Sequence, residues 1–264
     1  MKLREKNLTT PTCTRVRVQG LEYAGSRDFV NLYLEPPAWD YRPGQFVMVR
    51  PQGWEFDPLW ARPFSVCEKT REYLRLFIQV VGRGTRLLRH AAPESEIYLW
   101  GPLGNGFKVP RDHPVLILAG GMGIAPFVGL CKTHPEPGNL SLIFGRSTDL
   151  DHYPFQELPP EMHKENHYQA TSRDLEEFSA MLRDRIQGFA SSGVVLACGP
   201  MPFLRAVQRH ASEFSATAQL SVEMKMACGI GACLGCVVQT SDGEMVQSCA
   251  HGPVFDAREL VLEA

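Results

Sequence analysis

The sequence predicts a β plus α/β multidomain protein: an antiparallel β-barrel, then a parallel α/β layer, then a small C-terminal cysteine domain. Three observations predict it. Six short strand-like stretches separated by turn chemistry lie within residues 1–110. Apolar runs alternate with helical periods through 111–222. Four of the eight cysteines then crowd into 22 residues of the 223–264 segment. A chain of 264 residues has room for two domains and a small third.

In chain order, strands are predicted at 14–19, 28–35, 45–50, 64–68, 73–81 and 96–100, punctuated by RPGQ, GWEFDP and GPLGNG. A helix is predicted at 85–92, where TRLLRHAA supplies good helix formers after a glycine pair. Beyond Pro110, the runs at 115–119, 140–144 and 194–198 are short and largely apolar, as strands buried on both faces are. Leu175, Phe178, Leu182 and Phe189 recur at helical spacing, and so do Phe203, Val207, Ala211 and Phe214. The closing VVQTSDGEMVQSC reads as a hairpin with Cys249 on its second strand.

Charge narrows the partners. With 27 Lys+Arg against 29 Asp+Glu and no basic run, nothing offers an electrostatic footprint to nucleic acid or to a membrane surface. The most apolar uncharged run, 115–131, has 17 residues with four glycines and Pro126 inside, short of the ~20 a spanning helix needs. The first 20 residues are charged and lack an apolar core, so no secretory leader is expected and a cytoplasmic address follows. Thiols stay reduced there, so metal binding or burial, not four disulfides, must explain the cysteines.

Cys228, Cys233, Cys236 and Cys249 are spaced C-x4-C-x2-C-x12-C. Four small buried residues would not crowd so tightly. Structural zinc usually draws on two C-x2-C-like pairs, whereas this spacing is typical of plant-type [2Fe-2S] sites. Zinc is the alternative. Gly229, Gly231 and Gly235 let the backbone pass close to inorganic sulfide and aim N–H groups at it.

Other motifs suit phosphates. Arg62-Pro63-Phe64-Ser65 sets a guanidinium and a hydroxyl beside a rigid proline, although alone it reads as a turn with a solvated arginine. VGRGTRLL adds Gly84 and Thr85 opening a helix, whose N–H groups suit a pyrophosphate. GPLGNGF is a third glycine-rich turn, or simply a barrel corner. LAGGMGIAPF runs from strand to turn to helix with Gly120, Gly121 and Gly123 in the turn; it is not the G-x-G-x-x-G fingerprint, yet it permits close approach to a phosphate. LACGPM repeats the arrangement later, where Cys198 alone would read as a small residue closing a strand.

In this order the motifs resemble the ferredoxin-NADP reductase superfamily. MACGIGACLGCV followed by C-x-x-GPVF is very like the electron-transfer subunit of class 1B dihydroorotate dehydrogenase. The resemblance implies an FAD-binding β-barrel domain (1–110), an NAD-binding α/β domain (111–222) and a [2Fe-2S] domain (223–264). It implies that Arg62 and Ser65, with Pro63 and Phe64, hold the flavin phosphate and ring, and that Gly84 and Thr85 hold its pyrophosphate. Ile78 and Gln79 are expected among the cofactor-binding residues. Gly120, Gly121, Gly123, Ala125, Pro126, Cys198, Gly199 and Pro200 would lie against NAD(H), and the four cysteines would ligate the cluster. The implied partner is an FMN-containing dihydroorotate dehydrogenase catalytic subunit, in a heterotetramer serving pyrimidine biosynthesis. Electrons would run from dihydroorotate through FMN, cluster and FAD to NAD+, with no catalytic side chain on this chain. One departure is Ala250-His251, where the family usually carries Lys-Asp.

The rivals are a diaphorase subunit of a hydrogenase or ferredoxin:NADP oxidoreductase, and a non-enzymatic zinc or labile-cluster sensor. Arg146 and Ser147 suit a 2′-phosphate but Asp149 follows, so NADH against NADPH stays open. Leu234, Met224 and Met226 are either an apolar partner contact or packing beneath the cluster loop.

Overall fold

The computed structural model describes residues 12–54 and 56–262; the N-terminal stretch read for a leader falls largely outside them. The first unit comprises β1 (Thr12–Ala24), β2 (Ser26–Leu34), β3 (Phe46–Pro51), β4 (Arg62–Ser65), β5 (Glu68–Lys69), β6 (Leu74–Gln79), the helix α1 (Arg83–Leu88) and β7 (Glu96–Leu103). The strands form one antiparallel sheet in the order β4-β3-β7-β1-β2-β6-β5, curled so that β4 meets β6. Alternation along each strand builds the interior. Val47 and Val49 of β3, Val30, Leu32 and Leu34 of β2, and Leu74, Leu76 and Ile78 of β6 share one core.

The alternate residues face outward to two neighbours. Phe29 and Phe77, from β2 and β6, join the core of the α/β unit, while Phe46 and Met48 of β3 join Cys236 and Cys249. The helix α1 begins two residues before its expected start and ends four before its expected finish. Its entry is fixed by the Thr85 hydroxyl, which accepts from the Val81 and Gly82 N–H groups at 3.0 Å. Pro93 bars the predicted extension through Ala92, since it disfavours helix in the residue before it.

The second unit comprises β8 (Val115–Gly120), a 3-10 turn (Gly121–Ile124), α2 (Ala125–Thr133), β9 (Leu140–Arg146), β10 (His163–Tyr168), α3 (Ser172–Phe189), β11 (Val194–Cys198), α4 (Met201–Glu213) and β12 (Ala218–Ser221). These five strands are parallel, with β8 at the centre, β9 and β10 on one side and β11 and β12 on the other. Winding reverses between β8 and β11, and there the two crossover directions open a crevice at the strand ends. Two strands went unpredicted. The sequence HKENHY of β10 is too polar to read as a buried strand, and it forms the sheet edge, where charge suppresses unwanted pairing. Four residues of β12 are too few to show a pattern. On α3 the buried stripe is Phe178, Leu182 and Ile186, whereas Leu175 is 55% exposed; on α4 Leu204 joins Val207 and Ala211.

The remaining chain forms β13 (Val237–Thr240), β14 (Met245–Gln247), the one-turn helix α5 (Ser248–His251), β15 (Val254–Asp256) and β16 (Leu260–Val261). A small sheet β14-β13-β16 backs the cysteine loop, but β15 pairs antiparallel with β12 and so completes the α/β sheet. Cys249 lies in α5 and not on a hairpin strand as expected, because the backbone turns immediately after Gln247. Among the described residues no helix is long and apolar enough to cross a membrane.

Candidate functional site

The four cysteines gather as two pairs. The Cys233 N–H donates to Cys228 Sγ at 3.4 Å, and the Cys249 N–H donates to Cys236 Sγ at 3.5 Å. The Gly231 N–H reaches Cys249 Sγ at 3.0 Å. Cys236 and Cys249 are buried while Cys233 is exposed. Burial works against ionising Cys228, yet N–H groups of Ile230, Cys233 and Ala232 and the Cys233 thiol overcome it and bring the thiol down to about 7. Cys249 is pushed up to about 12, first by burial and then by Cys236 beside it. Two thiol pairs with backbone N–H groups aimed at sulfur, on a C-x4-C-x2-C-x12-C spacing, fit a [2Fe-2S] cluster.

The loop is tightly set. Gly229 has φ +71°, and a Cβ there would come within 2.5 Å of Met48 Cγ, so only glycine fits. Leu234 adopts φ +55° without that excuse, and its side chain is 60% exposed, as is Ile230. Met224 and Met226 pack beneath the loop against the buried cysteines. Ala250 also packs there, and His251 is exposed with its carbonyl accepting from Asn105 Nδ2 at 2.5 Å. The turn GPLGNGF is thereby bound to the cysteine lobe.

The R-P-F-S residues constitute β4, all four half-buried. Arg62 Nη1 donates to the Trp60 carbonyl at 2.8 Å, and its guanidinium lies 5.9 Å over the Trp54 ring. A Cβ on Gly84 would stand 2.8 Å from Arg62 Nε, so the arginine and the start of α1 form one cradle. The Thr85 hydroxyl is committed to ordering the turn before the helix. Ile78 is 2% exposed in the barrel core, which leaves only its backbone for a ligand, and Gln79 is half-buried at the end of β6. Cross-strand pairing divides β4: Arg62 and Phe64 sit opposite Val49 and Val47, whereas Pro63 and Ser65 sit opposite Met48 and Phe46, on the cysteine side.

At the β8/β11 switch point the other two motifs meet. A side chain on Gly123 would collide with the Cys198 carbonyl, and a Cβ on Gly120 would lie 3.0 Å from Pro200 Cδ. Gly120, Gly121, Gly123, Cys198, Gly199 and Pro200 thus form one backbone-lined crevice, with open space beside Gly121. Ala125 and Pro126 are buried in the first turn of α2 and support it from behind. The Cys198 thiol is pushed up to about 12 by burial and then by Glu223, against a Ser221 hydrogen bond, and so is held neutral. Arg146 is held by Asn166 Oδ1 at 3.0 Å, the Thr148 carbonyl at 2.7 Å and the Tyr168 ring at 5.2 Å, with Ser147 exposed beside it.

Two features escaped the sequence reading. Arg75, 3% exposed, makes a bidentate pair with Glu157, with Nη2 to Oε1 at 2.7 Å. Met48 and Phe46 wall the cysteines from β4. The signal for the second was the unbroken apolar run at 46–49, which marks a strand buried on both faces.

The family model for the iron-sulfur cluster binding domain of dihydroorotate dehydrogenase B matches residues 223–261. The dihydroorotate dehydrogenase B (NAD(+)) electron transfer subunit of Clostridium acetobutylicum is 33% identical over 236 residues, 85% of this chain and 88% of its own. That of Caldanaerobacter subterraneus is 34% identical over 223 residues, 83% and 87% of the two chains. Among solved structures, that of an NADH-dependent reduced ferredoxin-NADP oxidoreductase superposes with a TM-score of 0.78 at 22% identity, covering 94% of this chain and 90% of that one. Phthalate dioxygenase reductase gives 0.65 at 15% identity, covering 90% and 94%. The structures carry the fold: half-barrel, α/β sheet and iron-sulfur unit. The sequences carry the lineage, and by them this chain belongs to the family of dihydroorotate dehydrogenase B electron-transfer subunits.

Proposed function

We propose that this chain carries electrons between an FMN-containing dihydroorotate dehydrogenase catalytic subunit and NAD+, in pyrimidine biosynthesis and as part of a heterotetramer. The observation that carries the reading is the placing of Pro63 and Ser65 on the side of the sheet that packs against Cys236 and Cys249. FAD, when bound, exchanges a hydride with nicotinamide and single electrons with an iron-sulfur cluster, so it belongs between the two.

The residues divide this work. Arg62, steadied by the Trp60 carbonyl and Trp54, and the Gly84-Thr85 turn hold the flavin phosphates, with Ser65 and Gln79 along the ring side, Ile78 through its backbone, and Phe64 packed against the barrel core on the opposite face of the strand. The Gly120 to Gly123 turn and Cys198-Gly199-Pro200 receive NAD(H) in the crevice, with Ala125 and Pro126 as its floor. Cys228, Cys233, Cys236 and Cys249 would hold the cluster through their thiolates. No side chain need exchange a proton with substrate. Ile230 and Leu234, exposed beside the ligands, face the catalytic subunit, while Met224 and Met226 pack underneath.

This reading divides the chain at 1–110, 111–222 and 223–264, with β15 lent back to the second sheet. It also assigns the cytoplasm, where thiolates stay available for iron. The test is anaerobic purification followed by iron, sulfide and flavin analysis, then assay with dihydroorotate and NAD+. FAD with one [2Fe-2S] cluster, and turnover only after adding an FMN-containing dihydroorotate dehydrogenase from the same source, is the expected result. Zinc without sulfide, turnover by the chain alone, or failure to couple overturns it.

A further inference from the structure

The strand β3 is apolar on both faces, and its two faces serve different neighbours. Val47 and Val49 complete the barrel core, whereas Met48, 1% exposed, points the other way. Its cross-strand neighbour on one side is Pro63 in the middle of R-P-F-S, and on the other it is Trp100 of β7. The pairing of β3 with β7 shifts register between Phe46 and Met48, a local irregularity of the kind that re-aims a side chain. Against the middle of its side chain lies the cysteine loop, where a Cβ on Gly229 would fall 2.5 Å from Met48 Cγ and 2.9 Å from Sδ. Cys236 and Cys249 share its buried cluster with Phe46, Ala61 and Leu103. Met48 therefore touches the loop that carries the ligands and stands beside the strand that carries the flavin motif.

We propose that Met48 is a positioning residue for electron passage: its side chain sets the gap between the flavin strand and the cluster loop. This rests on the function proposed above. Single electrons cross that gap, each lost by one cofactor and gained by the other, and Met48 itself is neither oxidised nor reduced. A flexible thioether suits the task because it fills an irregular space while leaving no polar atom that needs a partner. Gly229 is the matching half of the contact, since any larger residue would push the loop off the methionine.

The test compares wild type with Met48→Ala, Met48→Val and Met48→Leu, each holding FAD and cluster. A flash-generated one-electron donor injects single electrons, and the re-equilibration between the cluster and flavin absorption bands is timed. Hydride transfer from NADH to flavin, the spin count of the reduced cluster and the two midpoint potentials are measured alongside. With Met48→Ala the re-equilibration slows by roughly tenfold or more, the scale of an ångström-level misplacement, while hydride transfer, spin count and potentials hold. Met48→Leu, close in volume, restores the rate, and Met48→Val falls between. If Met48→Ala does not fold, the order of Met, Leu and Val decides. Equal rates across the folded variants overturn the proposal, and so does slowing matched by a shift in potential. A wild-type chain lacking flavin or cluster would instead refute the function on which the proposal rests.

Discussion

On the outer face of β2 and β6, Arg75 is buried among charges: Asn31 Oδ1 accepts from its Nε at 2.9 Å, Glu157 takes both terminal nitrogens, and Lys132 ties Glu68 and Glu157 together at 3.1 and 3.2 Å. On the outer face of β3, Phe46 and Met48 meet Leu103, Cys236 and Cys249 in one buried apolar cluster. Both contacts join the half-barrel to a neighbour. The first surrounds its charges with a core shared by Phe29, Phe77, Phe127, Phe144 and Tyr153, and fixes direction as well as distance. The second fixes distance alone. Nicotinamide and flavin must meet in one orientation for hydride transfer, which suits a directional joint, whereas electron passage needs proximity and a constant, uncharged surrounding.

The contrast can be broken most severely at the cysteines. Cys249→Ala removes a proposed ligand from the buried pair, so the cluster is expected to be lost or labile while the flavin remains and is still reduced by NADH. Iron and sulfide analysis beside flavin content checks this, and a full cluster spectrum in that variant would show that Cys249 has been given the wrong role.

Next comes the charged joint. Arg75→Met leaves Glu157 and Glu68 to share Lys132 alone, and costs about 2 kcal/mol of unfolding free energy; a wholly buried pair costs ~3–5 kcal/mol, but the Glu157 side chain is 40% exposed. Urea titration measures it. The same joint has a pH signature. Burial alone would raise the Glu157 carboxyl, but the Arg75 hydrogen bonds and charge, with Lys132, hold it below the ordinary glutamate range. A lowered folded pKa means that the contribution is complete above the unfolded value and fades as pH falls through the folded one. The stability difference between wild type and Glu157→Gln is therefore largest near pH 7 and shrinks as acid titrates the carboxylate, and a constant difference across that range would contradict the pairing.

The smallest effect is expected at the exposed rim. Leu234→Gly relieves a left-handed backbone, so loop stability is unchanged or slightly improved, while coupling to the catalytic subunit weakens by roughly fivefold, the ~1 kcal/mol of a typical single truncation. Binding of the two subunits, measured at fixed salt, distinguishes this from an inert surface residue.

The order of half-barrel, α/β sheet and cysteine lobe was legible because each declares itself locally: short strands between turns, apolar runs beside helical periods, cysteines within one loop. The same holds for R-P-F-S, the GGMG turn and CGP, whose residues are contiguous. Sequence could not show what joins distant segments. Arg75 and Glu157 are 82 residues apart, and neither stands out among 56 charged residues. Polar β10 has no core pattern to display, and Cys249 falls on a predicted strand because VVQTSDGEMVQSC looks like one hairpin, with no local signal for the turn into α5 after Gln247. Met48 hides in a strand that looks uniformly buried, and only the sheet distinguishes its two sides.

The position of β15 gives the cysteine lobe an unusual mechanical character. The chain leaves the α/β sheet after β12, returns as β15 to pair with that same strand, then crosses again so that β16 closes the small sheet on β13. A module hung on one linker swings, searches and docks. This one is stitched down by three passes of the thread, and to peel it away would tear β15 from the sheet beneath. The lobe and its support are accordingly one cooperative fabric, and a relay sewn in this way waits on its partner's arrival, not on its own travel.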